Sequence, residues 1–250
     1  MSDIHSLPIQ GRVLTPSSGN EYKKALHRYS DLSILEAKYI VLPSVISDIP
    51  VVVSYATSQS PPIEIAVKCG GSHCSTWASS NGGLVIDLAN LNNVVVSQDK
   101  QSVLVQGGAL WGDVYEETQK FGVDVVGAHF WFIGVAGYLL GGGYSRLSGD
   151  RGLGLDNVLA ATVVLADGRV VKTSATEETD LFWAIRGEFS RICMIINGYS
   201  HLNLGGGNQF GIVVEFVLKT FPAAHSITMG SLVYPETEIA NVLSVIQVSD

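Results

Sequence analysis

This chain has little that would cross-link it, anchor it or draw it to nucleic acid. Its 250 residues include three cysteines, Cys69, Cys74 and Cys193, an odd number without the spacing of a disulfide framework or a zinc ligand set. The opening MSDIHSLPIQGRVLTP has neither a basic start nor an apolar stretch, so it does not read as a secretory leader. No apolar run approaches the ~20 residues that cross a bilayer. Those absences point to a reduced, cytoplasmic protein with no membrane partner. Lys and Arg number 15 against 23 Asp and Glu, a net charge of -8. That balance excludes the basic face that nucleic-acid binding requires. Charged residues make up only 15% of the chain and hydrophobic ones 46%, which describes a globular protein with one large or two modest cores.

What the chain does have is glycine, 27 residues of it, in clusters. Ile63, Ile65 and Val67 alternate with Glu64, Ala66 and Lys68 as a half-buried strand, and the strand runs straight into Gly70, Gly71, Ser72 and His73. Glycine lets backbone approach a ligand closely, and consecutive N–H groups form an anion-binding nest. A second cluster, Gly141 to Gly143, offers another such surface. Two separated nests suit an extended diphosphate, which points to a dinucleotide.

The remaining pattern is mixed. Helices are expected over 20–28, from Pro43 through Ala56, over 110–120 and over 179–186. Strands are expected at LVIDL, VLVQGG and FGIVVEFVL, with a hairpin over 160–173 that turns at Asp167-Gly168. The order lacks a strict βαβ rhythm, so the fold class is α+β. Other chemistries find no support. Gly143-Tyr144-Ser145 lacks the second glycine of a nucleophile elbow, Leu147 standing in its place. No GK[ST] follows a glycine loop. His73, Cys74 and Cys69 have no second ligand pair, so no metal is expected.

Four blocks in order carry a resemblance: VKCGGSHCSTWASSNGGLVIDL, GVAGYLLGGGYSRLSGDRGLGLDNVLAATVVLADGRVV, DLFWAIRG and GGGNQFGIVVEF. Over 43–222 the chain resembles the FAD-binding domain of the p-cresol methylhydroxylase and vanillyl-alcohol oxidase type. Within that group it is most similar to the fungal, berberine-bridge-enzyme-like branch of FAD-linked oxidoreductases. The resemblance implies two α+β subdomains with FAD held between them. Residues 1–42 would be a lead-in, 43–222 the FAD-binding domain, and 223–250 only the start of a truncated substrate domain. Gly70, Gly71, Ser72, His73 and Cys74 would form the first pyrophosphate loop. Gly134, Gly137, Tyr138, Gly141, Gly142 and Gly143 would form the second. Gly211, Ile212 and Val213 would run along the cofactor through backbone contacts.

The implied reaction takes a hydride from a small organic substrate to the flavin, with reoxidation by oxygen. Two alternatives stand beside it: a catalytically inactive flavin-binding remnant, and an NADPH-dependent flavin reductase on the same fold. Tyr144, His129 and Asp156 are the polar groups near the second block. Each reads as a loop, turn or cap residue, so no catalytic residue is assigned.

The departures from the family pattern are as specific as the matches. Many members link a loop histidine covalently to the flavin, but that position here is Ser72 and the histidine stands one place on, at His73. A link through His73 and a noncovalent loop histidine both remain open. Members with a second, cysteinyl link carry that cysteine where this chain has Phe130. Residues 188–204 have no counterpart, and their removal together with one flanking glycine would leave IRGGGNQFGIV. Gly187-Glu188-Phe189 can be encoded across GTGAGT, and Leu204-Gly205 across TAG, so a translated intron of about 18 codons is expected in preference to a tolerated surface loop.

Overall fold

A computed structural model describes residues 3–186, 207–223 and 233–246. The first layer is a four-stranded sheet in the order β1-β2-β4-β3, from Arg12–Leu14, Tyr39–Leu42, Leu84–Asp87 and Ile65–Lys68. β1 is antiparallel to β2, while β2, β4 and β3 are parallel. β4 therefore lies between two strands that precede it in sequence. Two helices cover this sheet, α1 at Asn20–Leu26 and α2 at Asp48–Ser58. The segment 1–42 thus supplies half of the first sheet.

α2 begins five residues later than Pro43. The buried Asp48 carboxylate accepts bonds from the N–H groups of Gln10, Gly11, Ser44 and Val45. Those bonds hold 44–47 as turns and place a negative charge at the helix start, where it complements the helix dipole.

The second layer is a five-stranded antiparallel sheet in the order β5-β6-β10-β8-β9: Val94–Val96, Ser102–Gln106, Ile212–Lys219, Val158–Val164 and Val170–Ser174. Gly168, at φ +84°, turns the β8–β9 hairpin as the Asp-Gly pair predicts. Against it pack α3 (Trp111–Lys120), α4 (Val135–Leu140) and α6 (Thr179–Arg186). A single turn, α5 (Ser148–Arg151), lies between α4 and α6 in sequence. A short pair, β7 at Val123–Asp124 with β11 at Phe221–Pro222, closes one end. Three core clusters fill the interior, one of them small, with Tyr22 and Ala25 of α1 against Ile40 and Val85 of the first sheet. The other two are larger. One lies under the second sheet around Trp111, Val163 and Phe216; the other lies between α2 and the first sheet and reaches Val164 and Val214, so the layers share apolar contacts.

The α+β class with two subdomains is what the architecture shows. Expected helices and strands appear with ends shifted by a few residues, as is usual at element boundaries. Among the described residues no helix is long and apolar enough to cross a membrane, and none form a metal-binding cluster of His, Cys, Asp or Glu. The segment expected as an intron, and Cys193 within it, lie outside the described residues, as do 224–232 and 247–250 of the start expected for a substrate domain; within the described part α7 spans Ile239–Ile246.

Candidate functional site

The first glycine loop fills 69–83, the connection between parallel strands β3 and β4. It leaves the carboxyl end of β3, the edge at which open parallel sheets bind ligands. Gly71 sits at φ +65°, a conformation that favours glycine, and its carbonyl accepts the Tyr29 N–H at 3.0 Å. Ser33 Oγ donates to the His73 carbonyl at 3.4 Å, and Ser79 Oγ donates to Ser33 O at 2.6 Å. Arg28, only 2% exposed, donates to Ala78 O from Nε and Nη2, and to Ala25, Leu26 and His27 carbonyls from Nη1. Burial pulls its guanidinium pKa down, and the nearby Asp87 charge opposes that shift. Asp87 also pairs with Lys68 at 2.9 Å, with both side chains largely buried.

The tip of this loop is exposed. His73 stacks on Trp77 with ring centroids 5.2 Å apart. Its Nδ1 lies 3.0 Å from the Ser75 N–H and 2.7 Å from Ser75 Oγ. A backbone N–H can only donate, so Nδ1 accepts and the ring proton resides on Nε2. Ser72 is half-buried beneath it and Cys74 is exposed.

The second glycine segment is built from backbone. Trp111 N bonds Ile133 O at 3.0 Å and Val135 N bonds Ala109 O at 2.9 Å, which pins Gly134 beside Leu110. A methyl on Gly70 would strike the Gly134 backbone nitrogen at 2.6 Å, and one on Gly134 would strike Gly70 in turn. Glycine at these two positions lets the loops touch each other. The N–H groups of Ala136, Gly70 and Gly137 converge on the Cys69 sulfur, yet desolvation dominates and pushes its thiol up to about 11.

Farther along, Gly137 and Gly142 differ from that pair. Among the described residues a methyl on either would meet no atom within 4 Å, and Gly142 is at φ +104°. Gly141 ends α4, and Gly143, at φ +77°, packs under the Tyr138 ring. Tyr138 donates to Tyr144 O at 2.6 Å and meets Trp111 edge-on at 5.2 Å, and burial raises its phenol pKa.

Gly211, Ile212 and Val213 lie at the entry of β10. Ile212 and Val213 pair with Val164 and Val163 on one side, and pairing with β6 begins only at Glu215. The other polar candidates have local roles. His129 and Tyr144 are exposed rings stacked 6.4 Å apart, Asp156 accepts from Leu153 N, and Ser145 Oγ accepts from Leu147 N.

Sequence reasoning missed Arg28, Tyr29, Lys68 and Asp87. No sequence signal marks Arg28, because its partners are backbone carbonyls of any residue type. Lys68 and Asp87 stand at the matching ends of β3 and β4, so the parallel register is the signal that pairs them.

Residues 37–174 match the family described as an FAD binding domain, which is more than half of the chain. The chain belongs to this family. It is 36% identical over 184 residues to the FAD-linked oxidoreductase pytB of Aspergillus terreus, covering 69% of this chain and 21% of that protein. Its fold matches the crystal structure of 6-hydroxy-D-nicotine oxidase from Arthrobacter nicotinovorans with a TM-score of 0.76 at 28% identity, covering 88% of this chain and 44% of that one. It also matches glucooligosaccharide oxidase of Acremonium strictum, which carries 6-S-cysteinyl, 8α-N1-histidyl FAD, with a TM-score of 0.73 at 28% identity over 86% and 41% of the two chains. The chain spans less than half the length of these relatives.

The residues present fit this family's FAD. Gly137 and Gly142 have no described atom within 4 Å of where a side chain would begin, which leaves their backbone free for the close approach of a ligand. The exposed ring of Phe130 stacks on Phe132 at 5.6 Å.

Proposed function

We propose that this chain is the FAD-holding part of an FAD-linked oxidase, with the diphosphate on Gly70–Cys74 and on Gly134–Gly143, and with Gly211, Ile212 and Val213 along the cofactor. The division proposed with it is a lead-in over 1–42, the FAD-binding domain over 43–222 and the start of a substrate domain over 223–250. The observation that carries the reading is the backbone contact of Gly70 with Gly134, which joins two loops more than sixty residues apart in sequence into one surface. When bound, FAD supplies hydride acceptance from a small organic substrate and reoxidation by oxygen. The chain's own residues bind and orient: Gly137 and Gly142 keep side chains out of the cofactor's space, and Tyr138 fixes the turn through Tyr144 O. The relatives named for nicotine derivatives and oligosaccharides favour a small-molecule substrate of this kind.

Titration of the chain with FAD, followed by flavin fluorescence, tests the reading. Saturable quenching at one site per chain is expected, and absence of binding overturns it. Acid precipitation of the loaded protein then separates the two states of His73. With Nδ1 held by Ser75 and Ser72 in the linking position, flavin is expected in the supernatant. A yellow pellet would assign the link to His73.

A second reading is a flavin-binding chain without turnover. Oxygen uptake by the loaded chain with a range of alcohols and amines would exclude it. Anaerobic bleaching by NADPH would instead favour the reductase.

A further inference from the structure

A buried cation lies behind the first loop, and the loop's own sequence does not account for it. All five hydrogen bonds of Arg28 go to backbone carbonyls, three of them at the end of α1 and the other two on Ala78 at the far end of the loop. A methyl on Gly71 would meet Arg28 Cδ at 3.1 Å and Lys68 Cε at 3.2 Å, so both cationic stems pass directly under that glycine. Lys68 is paired with Asp87, and its Nζ also reaches Ala25 O at 3.3 Å. The cluster therefore holds two cations and one anion. That is a surplus of one positive charge, buried, in a chain whose net charge is -8. Isolated buried charge is costly, and carbonyl dipoles offset only part of that cost.

We infer that Arg28 is a positioning residue for the first cofactor loop. It ties Ala78 to the carbonyls of 25–27, sets Gly71 on its own side-chain stem, and leaves the surplus positive charge under the segment that faces the diphosphate. Tyr29 extends the same clamp: its N–H holds Gly71 O, and its ring stacks on Phe132 at 5.8 Å, next to the second loop. The segment that reads as a lead-in is in this way a third wall of the site. The inference rests on reading 70–74 as a diphosphate loop, but its first half, that Arg28 holds the loop, can be tested without that reading.

The experiment compares the full chain with Arg28→Lys and Arg28→Met in two measurements: the FAD dissociation constant by fluorescence titration, and amide hydrogen exchange by mass spectrometry. Arg28→Met is expected to weaken FAD by about tenfold or more, because the loop loses every bond from Arg28 and the surplus charge beneath it. Arg28→Lys keeps the charge and is expected to recover part of that loss. In both variants exchange should quicken in 25–33 and 69–80 while 134–143 and 158–164 stay as in the parent. An FAD constant within twofold of the parent in Arg28→Met, or exchange raised evenly over all four segments, overturns the inference. If Arg28→Met does not fold, Arg28→Lys and Ser79→Ala carry the test. Ser79→Ala removes the bond to Ser33 O and leaves the buried charge alone, so unchanged exchange at 69–80 in both would be fatal. Should the parent itself bind no FAD, the cofactor reading falls and the exchange data still decide whether Arg28 holds the loop.

Discussion

The two glycine loops reach the same surface by different means. The first is held from behind by side chains distant in sequence: Arg28, Ser33 and Tyr29 fasten residues 71–79. The second is held by its own backbone, through the Leu110–Gly134 bridge, the short helix α4 and the Gly142 turn. One loop is thus clamped and the other is self-supporting. Where they meet, at Gly70 and Gly134, glycine serves packing; where they part, at Gly137 and Gly142, it leaves space. A run of glycines is therefore not one signal, and substitutions should separate its two uses.

The largest effect is expected at Gly142. Valine there must adopt φ +104°, which costs on the order of 1–3 kcal/mol, and on the proposed reading its side chain takes space meant for the cofactor. Gly142→Val should lower FAD affinity by about a hundredfold or more. Parent-like retention, measured as flavin absorbance after gel filtration, would remove the second loop from the site and with it the comparison.

The next effect concerns the return of the chain after α6. A methyl on Gly207 would lie 2.9 Å from Ile185 O and 3.1 Å from Leu140 O, so the chain re-enters beside the point where it left, against the end of α4. Deleting residues 188–205 leaves two glycines between Arg186 and Gly207, enough for so short a span. The shortened chain should fold, and closing the shorter connection should add on the order of 2 kcal/mol by loop-closure entropy. A lower thermal midpoint would count for a genuine loop. A full-length transcript that lacks those codons would establish the intron directly.

Much of this was legible in advance, for physical reasons that differ by region. The hairpin at Asp167-Gly168, the helix over 179–186 and the strand into the first loop all follow from local period and turn chemistry. The need for glycine at Gly71, at φ +65°, and where Gly70 meets Gly134 was legible as well, because a motif records backbone need. The helix start at Asp48 was not, since it depends on bonds to Gln10 and Gly11 some forty residues away. Arg28 was hidden for the same reason. A residue that binds carbonyls leaves no partner type to search for, and its neighbours across the fold are set by the sheet.

The smallest expected effect is the sharpest test of the comparison. Gly137 lies inside α4, where a methyl would meet no described atom within 4 Å and alanine adopts the helical backbone without strain. Alanine is the better helix former by about 1 kcal/mol. Gly137→Ala should therefore raise the thermal midpoint of the FAD-free chain by a few degrees. On the proposed reading the same methyl takes space beside the cofactor, so FAD affinity should fall as stability rises. A structural glycine would lose both, and an idle one would gain stability and keep its affinity. Opposite signs in the two measurements, set against a loss of both in Gly70→Ala where the loops touch, would separate the glycine that packs from the glycine that makes room.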